Sequence, residues 1–332
     1  MKRQTWAPYF AILICGFLIL TFCLALLQLS GSFYYTHEFR PGRPNQWVVW
    51  LCWSASAVAL VALFFGLQIP KNWPGLWPTL ILFAISFRVV LVFSNPILEV
   101  DYYRYLWDGI AANSEVSPYR FSPATILGPP QSDPELRRLQ SLVDQKPTLN
   151  EIVARVHFEQ YTTLYPPVSQ SVFRLTTALI PDQSSVDFHV SAIKSSLVLF
   201  DLGVIVCLLW LLSLMNRHPA WVVAYGWNPL VLKEIANGGH LDSIAIFFMT
   251  AGLAAFFYYA KSLNHDDTDP TSASRNETMS NSASIWALSL SAVLFSLGIG
   301  AKLFPVILLP GMSFYLVLKK KWLPAVLFLV LC

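Results

Sequence analysis

Charge is the scarcest commodity in this sequence: Asp, Glu, Lys and Arg together supply 12% of its 332 residues, and the net charge is only +3. So small and dispersed a balance excludes a nucleic-acid surface, which needs clustered cations to neutralise phosphates. Cysteine is equally thin. Cys15, Cys23, Cys52, Cys207 and Cys332 all fall in apolar runs with no metal-ligand or redox spacing, so they read as buried, unpaired thiols. No short repeat is present, which sets aside a solenoid. Against these absences stands an excess of apolar residues, 55% hydrophobic and 14% aromatic, the composition of a membrane protein.

A helix rising about 1.5 Å per residue needs roughly 20 apolar residues to cross the hydrocarbon. Runs near or above that length predict helices over about 8–30, 47–68, 75–95, 190–214, 219–236, 240–260, 284–301 and 304–318. The N-terminal run is longer than a signal peptide core and has no small-residue cleavage site, so it reads as a retained first helix. "WLPAVLFLVLC" at the C-terminus is about half a crossing, and a C-terminally truncated chain is the expectation. One transmembrane domain over 1–332 is expected, interrupted by two polar segments. The larger, 97–163, contains "SDPELRRLQSLVDQ", a capped start with helical periodicity, and predicts short surface helices. The smaller, 262–283, is rich in Ser, Thr, Asn and Asp and reads as a flexible cytoplasmic loop.

Orientation follows from Lys and Arg in short loops. With Lys2 and Arg3 cytoplasmic, Lys71 is also inside and 97–163 outside. The segment 164–180 is short, starts with Pro166 and Pro167, and carries Arg174. If it spans, Arg217 and Lys319, Lys320 and Lys321 lie outside, against the rule. If it is re-entrant or interfacial, these cations with Lys261 and Arg275 become cytoplasmic, and that topology is adopted. The sequon Asn276-Glu277-Thr278 is then cytoplasmic and unglycosylated. Four polar stretches, 97–123, "YPP" at 165–167, "NGGHLDS" at 237–243 and "GAKLFP" at 300–305, then share one membrane face, as expected of one extracytoplasmic site.

"DYYRYLWDG", "SPYRFSP", "YPP", "FDLG", "WNPLVLKEIANGGHLD" and "AKLFPVILLP" follow one another in an order that resembles the GT-C superfamily of integral-membrane glycosyltransferases. The likeness covers about 75–318 and is strongest to bacterial mannosyltransferase-like members. It implies an all-α, polytopic helix bundle in a bacterial inner membrane. It also implies transfer of a hexose, mannose favoured, from a polyprenyl-phosphate donor to a glycan or lipid acceptor. The absence of a nucleotide-binding glycine loop agrees with a lipid-linked donor. A secondary transporter or lipid flippase is the alternative, but its mark is midplane sites in broken helices and repeated halves, whereas these charges gather at one face.

Within this resemblance Asp101 is the expected general base, its plainer role being to cap or solvate a loop start. Glu99 lies two residues earlier and is an expected substrate contact. Members of the superfamily often carry adjacent acids there, and Val100 between the two leaves a divalent metal open. Arg104, on the same helical face as Asp101, could hold the donor phosphate or form a salt bridge to Asp101 or Asp108. Lys302 and Lys194 are further phosphate candidates; Lys302 could instead snorkel, and Lys194 could pair with Asp201 or across helices. Tyr103, Tyr105 and Trp107 could stack on sugar or sit at the headgroups. Asp108, Tyr119, Arg120, Tyr165, Asn237, His240 and Asp242 complete the expected substrate contacts. Arg88 and Arg174 read as structural pairs or snorkelling groups.

Overall fold

Every element among the described residues is a helix in the computed structural model of the protein, which describes residues 6–34, 42–266 and 277–332, with side chains for 6–34, 42–263 and 285–332. Lys2, Arg3, Arg275 and Asn276, with the centre of the 262–283 segment, lie outside the described residues. The first helices are α1 (Trp6–Ser30), α2 (Asn45–Gly66) and α3 (Leu76–Val92). On α1 the residues Ile12, Cys15, Ile19, Phe22, Cys23 and Leu26 recur at helical spacing and are buried against α2 and α3. The opposite face of α1 carries Phe10, Ile14, Phe17 and Leu18, all exposed and all apolar, a surface suited to hydrocarbon rather than water. On α2, Ala55, Ala59, Ala62 and Gly66 form a small-residue stripe that lets backbones approach closely. A methyl group on Gly66 would sit 2.9 Å from the Ala220 Cβ.

The insertion that follows α3 folds as α4 (Tyr102–Asn113), α5 (Pro123–Ile126), α6 (Pro134–Gln145) and α7 (Pro147–Ala154). α6 starts as the sequence requires: the Asp133 carboxylate accepts the N–H groups of Glu135 and Leu136, Pro134 occupies the first turn, and Leu136, Leu139 and Val143 are buried. α8 (Pro167–Ala178) has 12 residues, about 18 Å of helix, against roughly 30 Å of hydrocarbon. It lies on α4 with almost no gap, since a Cβ on Gly109 would collide with the Phe173 carbonyl oxygen.

Next comes α9 (Val186–Leu214), and then the one clear departure from the expected spans. The stretch 219–236 is not a continuous helix. A 3₁₀ turn (Pro219–Val222), α10 (Val223–Gly226), α11 (Pro229–Val231) and a π-helix (Leu232–Asn237) replace it. Pro229 has no N–H to continue the ladder, and the Asn228 side chain starts the next piece by accepting the Leu230 N–H. The remainder is α12 (Asp242–Asp266), α13 (Glu277–Ala301), a 3₁₀ turn (Phe304–Leu308), α14 (Leu309–Leu318) and α15 (Trp322–Leu331). Among the described residues four helices are long and apolar enough to cross a membrane: Trp6–Phe33, Asn45–Gly66, Val186–Leu214 and Asp242–Leu263. Leu76–Val92, Ile285–Ala301, Phe304–Leu318 and Trp322–Leu331 are shorter apolar helices.

Polar bonds identify the two ends of the bundle. At one end Lys71 Nζ donates to Asn216 Oδ1 and His218 Nε2 lies 2.8 Å from the Ile69 carbonyl. At the other, Asn237 is wholly buried and ties α3 to the π-helix. It accepts the Ile97 N–H at 3.1 Å and donates to Ser94 Oγ at 2.7 Å and the Asn95 carbonyl at 2.8 Å. Lys194 joins it, donating to the carbonyls of Leu91 and Ser94. Between the ends, Arg88 Nε and Asp201 Oδ2 form a 2.6 Å ion pair with both side chains at 0% exposure. Tyr225 donates to the other Asp201 oxygen, and Arg88 also donates to the Ala84 and Gly226 carbonyls. Lys194 and Asp201 therefore do not pair with each other.

Candidate active site

At the Asn237 end the chain leaves α3, turns through Leu98 at φ +57°, and presents Glu99, Val100 and Asp101 at the start of α4. Glu99 organises this turn. Its Oε1 accepts the N–H groups of Val100 at 2.9 Å and Asp101 at 2.7 Å, while its Oε2 lies 2.7 Å from His240 Nε2. The same His240 nitrogen is 3.1 Å from Glu234 Oε2, so one imidazole bridges two carboxylates brought from α3's exit and the π-helix. Gly239, at φ +75°, makes the turn that aims His240, and a Cβ there would press on Lys194 Cγ at 3.2 Å. Glu234 also receives Lys233 at 3.0 Å, and Asp242 receives Lys302 at 2.7 Å.

Asp101 itself is held from another direction. The Tyr165 hydroxyl donates to Asp101 Oδ2 at 2.9 Å, and the other carboxylate oxygen has no hydrogen-bond partner among the described residues. Tyr165 is in turn fixed by Tyr119, whose hydroxyl donates to its carbonyl at 2.6 Å. Ser169 on α8 donates to the Ala301 carbonyl at the end of α13. The four polar stretches singled out in the sequence are thus joined at one end of the bundle by these bonds. Asp101 lines two cavities. One, about 340 Å³, is bounded by Phe33, Arg43, Glu99, Tyr102 and His157. The other, about 380 Å³, is bounded by Arg104, His157, Tyr161, Thr163 and Tyr165.

Several expected contacts fall elsewhere. Arg104 bonds to neither Asp101 nor Asp108; its guanidinium donates to the carbonyls of Tyr161, His157 and Phe158 and so pins the 157–161 loop. Lys194 has 0% exposure, and its ammonium caps the end of α3. Tyr103, Tyr105 and Trp107 are buried in the core around α4. Tyr105 stacks on Phe173 at 4.6 Å, and Tyr103 accepts from Arg155 at 2.7 Å. Asp108, also buried, accepts from Gln170 at 2.8 Å, and Asn237 is the inter-helix tie described above. Arg120 pairs with Asp133 and Glu135 on the surface of α6. Glu234 was missed, although an acid within the apolar run "NPLVLKEIA" was the available signal.

The environment sorts the titrating groups. The hydrogen bonds to Glu234 and Glu99 outweigh burial and push His240 up to about 10, so the ring is a cation at neutral pH. Burial pushes Glu99 up, but the His240 bond and two backbone N–H groups outweigh it and hold it below its ordinary value. Burial raises Asp108 to about 6 despite its bonds to Thr163 and Gln170. Burial and the neighbouring Asp101 carboxylate push the Tyr165 phenol well up, so it stays a donor. A histidine raised from about 6.5 contributes its stability in full below that value and loses it as pH rises through about 10. His240→Gln is therefore expected to lower the thermal midpoint most at pH 6–7, with the gap to the parent closing towards pH 10. A gap independent of pH would mean that the imidazolium is not what holds the two acids.

These carboxylates do not offer a divalent ion a converging set. Both Glu99 oxygens are engaged by N–H donors, and no group of three or more His, Cys, Asp or Glu able to hold a metal occurs among the described residues. What the site offers is a half-bonded carboxylate between two cavities, within a net of paired charges. The MptA_B family, described as alpha-(1->6)-mannopyranosyltransferase, N-terminal domain, has a model that matches residues 49–318. No curated protein and no solved structure matches the chain.

Proposed function

The chain belongs to this mannosyltransferase family, a GT-C-type glycosyltransferase, and on that premise we propose that it takes mannose from a polyprenyl-phosphate donor and adds it to a glycan or lipid acceptor. Membership of an enzyme family sets the transporter alternative aside. The observation that carries the mechanism is the Asp101 carboxylate: Tyr165 fixes one oxygen, the other is unbonded, and the group borders both cavities. In the reaction the acceptor hydroxyl gives its proton to Asp101 while its oxygen forms a bond to the sugar C1. The bond from C1 to the phosphate oxygen breaks, and its electron pair leaves with the polyprenyl phosphate. A single displacement inverts C1. Charge develops on the departing phosphate and calls for a positive group beside it. The isoprenoid tail stays in lipid. Transfer of labelled mannose from polyprenyl-phosphate mannose by purified protein tests this; transfer from a nucleotide-linked mannose alone would overturn the donor assignment.

The reaction side is the extracytoplasmic face of a bacterial inner membrane. The support is the distribution of cations: Lys71, Arg217, Lys261 and Lys319 to Lys321 follow helices whose opposite ends carry the site, as the positive-inside tendency requires. Exposed Ser117, between α4 and α5, and exposed Lys321, after α14, report on the two faces. Ser117→Cys is expected to react with an impermeant thiol reagent added outside intact cells, and Lys321→Cys only after permeabilisation. The reverse pattern would invert the topology.

A further inference from the structure

A departing phosphate dianion requires a cation beside it, and none of the three suggested by sequence supplies one at Asp101. Arg104 is engaged with three backbone carbonyls, Lys194 is sealed beneath Ser94, and Lys302 is paired with Asp242 and borders neither cavity. Arg43 is different. It lies just before α2, outside the matched family region, and lines the 340 Å³ cavity with Glu99 and Asp101. Its Nε is buried with no hydrogen-bond partner. Its guanidinium forms no salt bridge or hydrogen bond with any described residue, and it lies 5.9 Å from the centre of the Phe33 ring. Arg43 is half-buried, whereas the buried arginines among the described residues hold partners elsewhere on the guanidinium even where one nitrogen is unbonded, as Arg88 Nη2 is: Arg88 has Asp201, Arg104 has its carbonyls, and Arg155 has Glu151 and Tyr103.

A buried guanidinium N–H left unmade is costly, so such a group is best explained by a ligand that satisfies it. The ligand is an anion, and the planar fork matches two phosphate oxygens. Glu99 does not compete for Arg43, because its two oxygens already accept from Val100, Asp101 and His240. No salt bridge joins Arg43 to Asp101, so cation and base line one cavity with space between them.

We propose that the cavity lined by Arg43 and Asp101 receives the phosphate of the lipid-linked donor, and that the Arg43 guanidinium holds it. The proposal rests on the transferase reading above and adds a division of labour to it. The donor enters on the Arg43 side. The acceptor takes the second cavity, where Thr162 and Thr163 can meet sugar hydroxyls and no free cation attracts phosphate. When the bond from C1 to phosphate oxygen breaks, the electron pair moves towards Arg43. The acceptor oxygen approaches from the Asp101 side, and its proton goes to that carboxylate.

The test uses the full chain in lipid nanodiscs and polyprenyl monophosphate, the expected leaving group, as the probe. The parent and Asp101→Asn should bind it alike. Arg43→Ala should bind at least tenfold more weakly, and Arg43→Lys, a point charge without the fork, should fall between. Arg43→Gln keeps the side-chain stem over Phe33 and should match Arg43→Ala, which guards against a folding defect in the alanine variant. In transfer assays the loss should appear in the donor KM with the acceptor KM unchanged. Parent-like probe binding by both Arg43→Ala and Arg43→Gln would overturn the assignment to Arg43 while leaving the transferase reading intact. Failure of the parent to bind the probe would overturn the lipid-phosphate donor itself. Equal weakening towards vesicles of ordinary anionic phospholipid would show a general headgroup site and overturn the donor assignment too.

Discussion

Asp101→Asn is expected to reduce mannosyl transfer by about 10²- to 10⁴-fold, the range by which a positioned general base accelerates proton removal. The fold should tolerate it. Asp101 opens α4 through its backbone, with no side-chain cap bond, so the substitution removes no helix cap. An asparagine oxygen can still accept the Tyr165 hydroxyl, and the Glu99 bonds run to the backbone N–H of residue 101, which asparagine retains. Only the proton-accepting oxygen is lost. The loss should therefore lie in kcat at saturating donor, with the thermal midpoint unchanged. Undiminished turnover by a folded Asn variant would remove Asp101 from the chemistry, and a fallen midpoint would make it a structural acid.

The largest effect on stability is expected at Arg88, far from the reacting atoms. Arg88 and Asp201 are both fully buried and 2.6 Å apart. Desolvating two ions offsets most of their attraction, so the pair itself adds little over a well-packed apolar substitute. Removing one partner is another matter. Arg88→Ala strands the Asp201 carboxylate with only the Tyr225 hydroxyl, and breaking a buried pair in this way costs about 3–5 kcal/mol. Thermal unfolding in detergent should show a fall of several degrees for Arg88→Ala. It should show a smaller fall for Arg88→Leu combined with Asp201→Leu, where no charge is left alone. Equal losses in both would mean that packing, not the stranded charge, sets the cost.

The amino-acid pattern made the helical class legible, because apolar runs of crossing length leave few other solutions. It also made legible the grouping of four polar stretches at one end, because counting crossings puts them there. The start of α6 was readable from Asp133 and Pro134, whose roles are local. Pairing across the bundle was not readable. Arg104 and Asp101 share a helical face, yet the guanidinium bonds to carbonyls more than 50 residues away, and spacing within one helix says nothing of those. Tyr103, Tyr105 and Trp107 have the composition of a headgroup belt, and only the packing of α4 under α8 reveals a core. The break at 219–236 had a local signal in Asn228 and Pro229, outweighed by the length of the apolar run. Arg43 had none, since an arginine in a polar turn is normally solvated.

The π-helix at 232–237 makes residue count, rather than residue type, the sensitive variable in that stretch. A π turn accommodates one residue more than an α turn. The turn already holds that extra residue, so inserting one more between Glu234 and Asn237 would exceed what it absorbs and swing its two ends by roughly 100° relative to each other. Asn237 could keep its grip on Asn95, but Glu234 would turn away from His240, and one of the two acids that the imidazolium joins would be released. Lengthening the chain there would unhook the mouth of the site from its frame even with every named side chain still present.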